Sequence, residues 1–353
     1  MTWFIRLGKY MTLAHGAGGK ETDDLIRNLI RAKVPKEFWA IKGGTGLDEL
    51  DDSALIPISN NLHVAITIDT YTIKPIKFPG GDIGKLAASG TINDLLMVGA
   101  KPLVAVDGIV VEEGFPTNDL SSIIESYVTT LTGEGVFLVG GDFKVMPKEE
   151  VDGIIIATAG IGIVEGKPIK DSEIKPRDKI IVSGYLGDHG AAVLSAQKAL
   201  GVEFDIKSDV KPLTSLMLPL LERYRPYIHG ANDPTRGGIA MTLNEWAEKT
   251  NTVILLEEKN LPIRPQVREY AEMLGIEPLS LANEGAAVIA VDENKANEIL
   301  NYIKSLGFEE AEIIASVYEP SDPRHRGKVL MRSTSGGFHI LEPPSGEIVP
   351  RIC

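Results

Sequence analysis

The chain is poor in cysteine, in basic charge and in long apolar runs, and each shortage excludes something. A single cysteine in 353 residues cannot close an intrachain disulfide, which suits a reducing compartment. Lys and Arg number 36 against 49 Asp and Glu, for a net charge of -13. That balance opposes non-specific nucleic-acid binding and attraction to anionic membranes. Every apolar run is broken by charge, Gly or Pro before it could span a bilayer. The opening Met1–Leu7 is too brief and too soon polar for a signal peptide, so the expectation is cytoplasmic. The patterned sequence begins just after Met11, a candidate natural start. Six histidines form no ligand-like spacing, so neither a nickel nor an iron site is indicated.

What is present is two rounds of α/β patterning, enough at 38.1 kDa for two domains with their own cores. Alternation and β-branched runs predict strands near Leu62–Ile68, Leu103–Val111, Val136–Val139 and Ile154–Val164, with helices over Asp82–Val98 and Thr117–Leu131. After a polar link at Lys167–Arg177 the pattern restarts. Strands are expected near Lys179–Ser183, Thr252–Glu257, Ala286–Asp292 and Glu312–Tyr318. Helices are expected at Asp188–Leu200, Leu213–Tyr224, Gly237–Lys249, Pro265–Leu274 and Asn294–Leu306. The fold class is α/β (α+β) with two domains. The expected divisions are an arm at 1–43, domains at 44–166 and 167–332, and a tail at 333–353. Gly336, Gly337, Pro343, Pro344, Ser345 and Gly346 make that tail hinge-like and flexible.

Acidic residues recur at strand ends and turns. Asp51-Asp52 precedes an apolar run, Asp69 ends the strand that starts at Leu62, and Gly140-Gly141-Asp142 follows Val136–Val139. Mg²⁺ commonly bridges one or two carboxylates to substrate phosphates, so shared placement of Asp52, Asp69 and Asp142 suggests a metal–phosphate site. For any one of them a turn or cap is the alternative. Asp94 differs, because helical spacing sets it among apolar residues while Asp82, Lys85, Ser89 and Asn93 share the other face. A carboxylate there is costly to bury unless hydrogen-bonded, paired or metal-bound. Near the start, His15-Gly16-Ala17-Gly18-Gly19-Lys20 leads into a helix, and its glycines would let backbone N–H groups approach phosphate. It lacks P-loop spacing. Lys144 puts a cation beside Asp142, and two more turns stand out: Asn232–Gly238 and Asn283-Glu284-Gly285. The one cysteine, Cys353, is the last residue, where nothing beyond it restricts the reach of a nucleophilic thiol.

In order along nearly the whole chain, these elements resemble one family, the HypE hydrogenase maturation factors. HypE belongs to the superfamily of aminoimidazole ribonucleotide synthetase, selenophosphate synthetase and thiamine-phosphate kinase. The ending Pro350-Arg351-Ile352-Cys353 is the most specific element of the resemblance. The resemblance implies that a carbamoyltransferase, HypF, loads a carbamoyl group onto Cys353. The tail then enters the chain's own ATP site and is dehydrated to a thiocyanate, whose cyanide passes through HypC–HypD to the iron of a [NiFe] hydrogenase. It further implies ATP and Mg²⁺, with Asp52, Asp69, Asp94 and Asp142 toward the metal. His15, Gly18, Gly19, Asp82, Lys85, Asn93, Gly140 and Gly141 would surround the nucleotide. Cys353, Lys144 and Glu284 would be catalytic, with Glu284 as base and Lys144 as electrostatic stabiliser. Arg351 would offset the charge of the terminal carboxylate beside the thiol. The family fold implies a homodimer whose N-terminal halves share a β-barrel. Two alternatives remain. Another ATP-dependent enzyme of the superfamily has no need of a terminal cysteine, and the arm lacks the reactive Cys or Sec of selenophosphate synthetases. A scaffold whose tail merely docks would not require the aspartate set.

Overall fold

The computed structural model describes residues 10–197, 201 and 204–346. The arm carries α1 (Lys20–Leu25), whose turns run on through Ile26–Ile30 and Arg31–Lys33. Gly18 enters it at φ +78°, and a Cβ there would lie 2.4 Å from Cβ of Arg236, so only glycine fits. The first unit then runs β1 (Ala54–Ser59), β2 (Leu62–Tyr71), β3 (Lys77–Phe78), β4 (Gly81–Asp82), α2 (Ile83–Met97), β5 (Lys101–Glu112), α3 (Thr117–Gly133), β6 (Phe137–Met146) and β7 (Ile154–Glu165).

Its five-stranded sheet has the order β1-β2-β7-β5-β6. Only β5 and β6 run parallel, because α3 crosses between them. The period-2 rule divides β2: Ala65, Thr67 and Tyr71 turn inward, while Ile66 and Ile68 turn outward. Helix α2 packs on β2 and β7 and is buried along nearly its whole length. The outer face is left open and apolar. Ile66 lies opposite Ile161, and Ile68 reaches Val106 across Ala159. All four of these larger side chains are exposed.

The second unit contains β8 (Lys179–Val182), α4 (Asp188–Ala196), α5 (Thr214–Tyr224), β9 (Ile228–Asn232), α6 (Gly238–Thr250), β10 (Val253–Glu257), α7 (Pro265–Leu274), β11 (Val288–Val291), α8 (Ala296–Ser305), β12 (Glu312–Tyr318), β13 (Lys328–Arg332) and β14 (Phe338–Leu341). Its sheet has the order β14-β13-β10-β12-β8-β11-β9. Central strand β11, and β8 after Lys179, are apolar because both faces are covered. Ile181 and Ile289 join the core shared with the first unit, whereas Ile180 and Val288 join that around Trp246.

Three expectations change. The strand expected to stop at Val139 continues to Met146, so Gly140-Gly141-Asp142 lies inside β6 rather than in a turn. The pairing with β5 supplies the hydrogen bonds that the two glycines alone would not favour. The expected hinge after Ser333 begins as a hairpin. Gly337 N donates to Ser333 Oγ at 3.0 Å, and β14 pairs with β13. The helix expected over Asp188–Leu200 is α4 to Ala196; Lys198–Leu200 lie outside the described residues.

Candidate functional site

Between the units lies a cavity of about 510 Å³, walled by α1, the loop before β1, the end of β2, α2, the loop after β9, and α6. Three carboxylates converge in it: Asp52, Asp94 and Asp233 offer oxygens within 4.8 Å of one another. Each is set by its own support. Asp94 accepts from Thr67 Oγ1 at 2.6 Å, and its carbonyl accepts from Ser53 at 3.0 Å. Asn232, at the end of β9, donates to both oxygens of Asp52 at 2.9 and 3.0 Å, while Thr242 donates to the Asn232 carbonyl oxygen at 2.8 Å. Asp69 lines the same wall.

These groups are not neutralised by one another. Burial pushes Asp94 well above the usual carboxylate range, and Asp69 adds to it. Burial also raises Asp52, with Asp233 and Asp94 repelling it, and raises Asp233, repelled by Asp94 and Glu284. Oδ2 of Asp233 and Oε2 of Glu284 are buried with no hydrogen-bond partner among the described residues. Crowded hard-oxygen donors with unfilled acceptors fit a divalent cation such as Mg²⁺, and among the described residues no imidazole joins the group.

Glu284 arrives from the second unit on a turn built around Asp209. Asp209 accepts from the Asn283 side chain at 2.8 Å and from the N–H groups of Glu284 and Gly285 at 3.1 Å each. A Cβ at Gly285 would fall 1.8 Å from the Asp209 carbonyl oxygen, so the turn needs glycine there. Glu284 itself is 1% exposed; burial raises its pKa well above normal, with Asp209 and Asp69 adding repulsion.

A second arm of the cavity is centred on Lys249. Its Nζ lies 2.5 Å from Asp51 and 3.7 Å from Asp171. Burial disfavours its charge, but Asp171 and Asp51 outweigh that and hold Lys249 up at about 12. Burial and the nearby Asp51 push Asp171 up to about 8, and burial lifts Glu245 to about 7.

The sequence-expected residues divide sharply. Asp52, Asp69, Asp94, Gly18 and Gly19 line the cavity, and Glu284 closes on its acids. Asp82 caps α2 by accepting from Lys85 N at 2.9 Å, and Lys85 Nζ donates to Gly80 O at 3.1 Å. Asn93 is fully buried and ties α2 to the second unit, accepting from Leu213 N at 2.8 Å. His15 Nδ1 accepts from Thr12 N at 3.1 Å in a local turn and does not line the cavity. Asp142 and Lys144 stand exposed on β6, paired at 2.6 Å, and within one chain they are not brought to the other aspartates. Their strand, rather than the expected turn, puts them there, with Gly140 and Gly141 beside them. Cys353 lies outside the described residues. Sequence reasoning missed Asp233, Asp171, Glu245 and Lys249 as site residues. Only Asp233 had a signal, its place in the Asn232–Gly238 turn.

Comparison with known proteins completes the description. The family model for the AIR synthase related protein N-terminal domain matches residues 50–164, and that for the C-terminal domain matches 175–328. A putative hydrogenase expression/formation protein of Methanocaldococcus jannaschii is 43% identical over 97% of this chain and 99% of its own. The carbamoyl dehydratase HypE of Azotobacter vinelandii is 38% identical over 97% of this chain and 96% of its own. Among solved structures, a HypE–HypF complex superposes with TM-score 0.81 at 37% identity, covering 91% of this chain and 99% of that one. HypE in complex with ATP gives TM-score 0.77 at 34% identity, covering 98% of this chain and all of that one. The chain belongs to the AIR synthase related family and, within it, to the HypE hydrogenase maturation proteins. No helix among the described residues is long and apolar enough to cross a membrane.

Proposed function

We propose that the chain is an ATP-dependent carbamoyl dehydratase of [NiFe] hydrogenase maturation, converting a carbamoyl group on Cys353 to a thiocyanate. The observation that carries this is the convergence of Asp52, Asp94 and Asp233, with unpaired Glu284 beside them, in a HypE-family chain. Mg²⁺ held by Asp52, Asp94 and Asp233, with Asp69 adjoining, would offset charge on the phosphates. His15, Gly18, Gly19, Asp82, Lys85, Asn93, Gly140 and Gly141 are assigned to the nucleotide's surroundings. Among these, Gly18 and Gly19 have the strongest support, since they line the cavity.

The step balances as follows. The carbamoyl oxygen bonds to the γ-phosphorus of ATP, and ADP leaves. Glu284 accepts a proton from the carbamoyl nitrogen. Its raised pKa and unfilled Oε2 suit it to receive one. The C–O bond then breaks with release of phosphate, the second nitrogen-bound proton is lost, and a C≡N bond remains on sulfur. Lys144 is assigned to stabilising the phosphorylated intermediate.

That assignment for Lys144 and Asp142 asks for a second copy. Both lie on the open apolar face that carries Ile66, Ile68 and Val106, and β6 is an exposed edge strand. An exposed apolar sheet face with a free edge is what another sheet would cover. A homodimer with a shared barrel would place both residues within an assembled interface. HypF is the proposed loading partner and HypC–HypD the acceptor of the cyanide, in a cytoplasm that keeps Cys353 reduced.

The test is intact-protein mass after incubation with the carbamoyltransferase, carbamoyl phosphate and Mg-ATP. A carbamoyl adduct that then loses one water in the full chain, but never forms in Cys353→Ala, is the expected result. A stable adduct without water loss would leave the tail as a carrier only.

A further inference from the structure

The last described residues of the chain are fastened by three contacts, the final one beside cavity-lining residues. Asn244 Nδ2, on α6, donates to Leu341 O at 3.0 Å. Gly237, which caps α6 at φ +66°, leaves room for Pro344, since a Cβ there would lie 2.9 Å from the Pro344 ring. Finally, Gly346 N donates to Glu21 Oε1 at 3.0 Å, across 325 positions of sequence. Glu21 sits on the first turn of α1, between cavity-lining Gly19 and Thr22, and Arg236 beside Gly237 lines the cavity too. The segment thus runs along α6 to the mouth of the cavity and is fastened there.

We infer that Glu21 is a positioning residue for the reaction, fixing the origin of the final seven residues at the mouth of the cavity. This rests on the proposed function, in which the tail is the substrate arm. Seven residues reach at most about 25 Å when extended. Without Glu21, the last hydrogen-bonded hold is Asn244 on Leu341, and twelve residues instead of seven then separate it from Cys353 in sequence. Effective concentration falls as about the −3/2 power of tether length, so Cys353 loses about twofold from length alone. Lost direction at the rim would add to that. Oε2 of Glu21 is buried without a partner, so a glutamine would keep the acceptor at Oε1 and place its amide at the other position. Glu21 forms no bond to the reacting group; it acts through the tail.

The experiment compares wild type, Glu21→Ala and Glu21→Gln as full chains. The first readout is hydrogen exchange of the peptide spanning Gly346, which needs no catalysis. Protection is expected in wild type and Glu21→Gln and lost in Glu21→Ala; equal exchange in all three would overturn the inference. The second is single-turnover water loss after carbamoyl loading. Glu21→Ala should be slower by about two- to fivefold, with ATP affinity unchanged and loading by the carbamoyltransferase no slower. Glu21→Gln should match wild type. Equal water-loss rates in all three, or slowing of loading and water loss together in Glu21→Ala, would overturn it. Absence of water loss from wild type would contradict the dehydratase reading instead, while the exchange result still decides whether Glu21 holds the tail.

Discussion

The acids in the cavity and the Asp142–Lys144 pair on β6 belong to the same expected site, yet they sit in opposite physical conditions. Burial raises the pKa values of Asp52, Asp94, Asp233 and Glu284, and Asp233 Oδ2 and Glu284 Oε2 are left unfilled. Asp142 is exposed, and the Lys144 ammonium hydrogen-bonded to it holds its carboxyl below the usual range. Burying like charges together destabilises a fold, so the cavity's arrangement calls for something besides stability. An exposed ion pair contributes little in a single chain. One region is electrostatically costly; the other is relaxed, and its proposed role requires its sheet face to be covered.

Removing a cavity acid should break this comparison most severely. Asp94→Asn is expected to lower ATP turnover by about 10²–10³-fold, while raising the unfolding midpoint of the metal-free chain by relieving repulsion. Steady-state ADP release and a denaturant titration check the two halves. Turnover within a few fold of wild type would remove Asp94 from the chemistry.

Next comes the sheet face. In the proposed homodimer, Val106→Glu puts a charge on the exposed apolar surface and should give a monomer in light scattering where wild type gives a dimer. Turnover should fall with it, since Lys144 would lose its assembled setting. A dimer that persists would place the interface elsewhere.

A smaller effect sharpens the contrast through pH. Asp171 at about 8, Glu245 at about 7 and Asp188 at about 6 all exceed their ordinary values. Raised carboxyls bind more protons in the folded than in the unfolded chain between those limits. Folding stability of the metal-free protein should therefore fall as pH climbs from about 4 to about 8. Denaturation midpoints across that window test it, and a rising trend would contradict the burial account. Last, Asp142→Ala should leave the midpoint where it is, because its partner is exposed and screened.

Much of the fold was legible from periodicity. Helix α7 and strand β12 coincide with expectation because amphipathic spacing and β-branched runs mark them without competing signals. Pairing overrode local cues elsewhere. Gly140-Gly141 reads as a turn until β5 supplies its ladder, and Gly336-Gly337 reads as a hinge until β14 closes the hairpin. At the site, Asp94 stood out as an acid among apolar neighbours. Asn93 was expected on the polar side of α2 near the nucleotide, yet it is buried and hydrogen-bonded to the second unit. Asp233, Asp171 and Lys249 meet Asp51, Asp52 and Asp94 only through packing of the two units, which no local spacing reveals.

The cavity acids are proposed to form a divalent-cation site for nucleotide. Calorimetric titration of ATP into wild type and Asp94→Asn, with and without Mg²⁺, tests it most directly. The account predicts that Mg²⁺ strengthens ATP binding to wild type at least tenfold and that Asp94→Asn loses most of that gain. Equal ATP affinity with and without Mg²⁺ in wild type would contradict it.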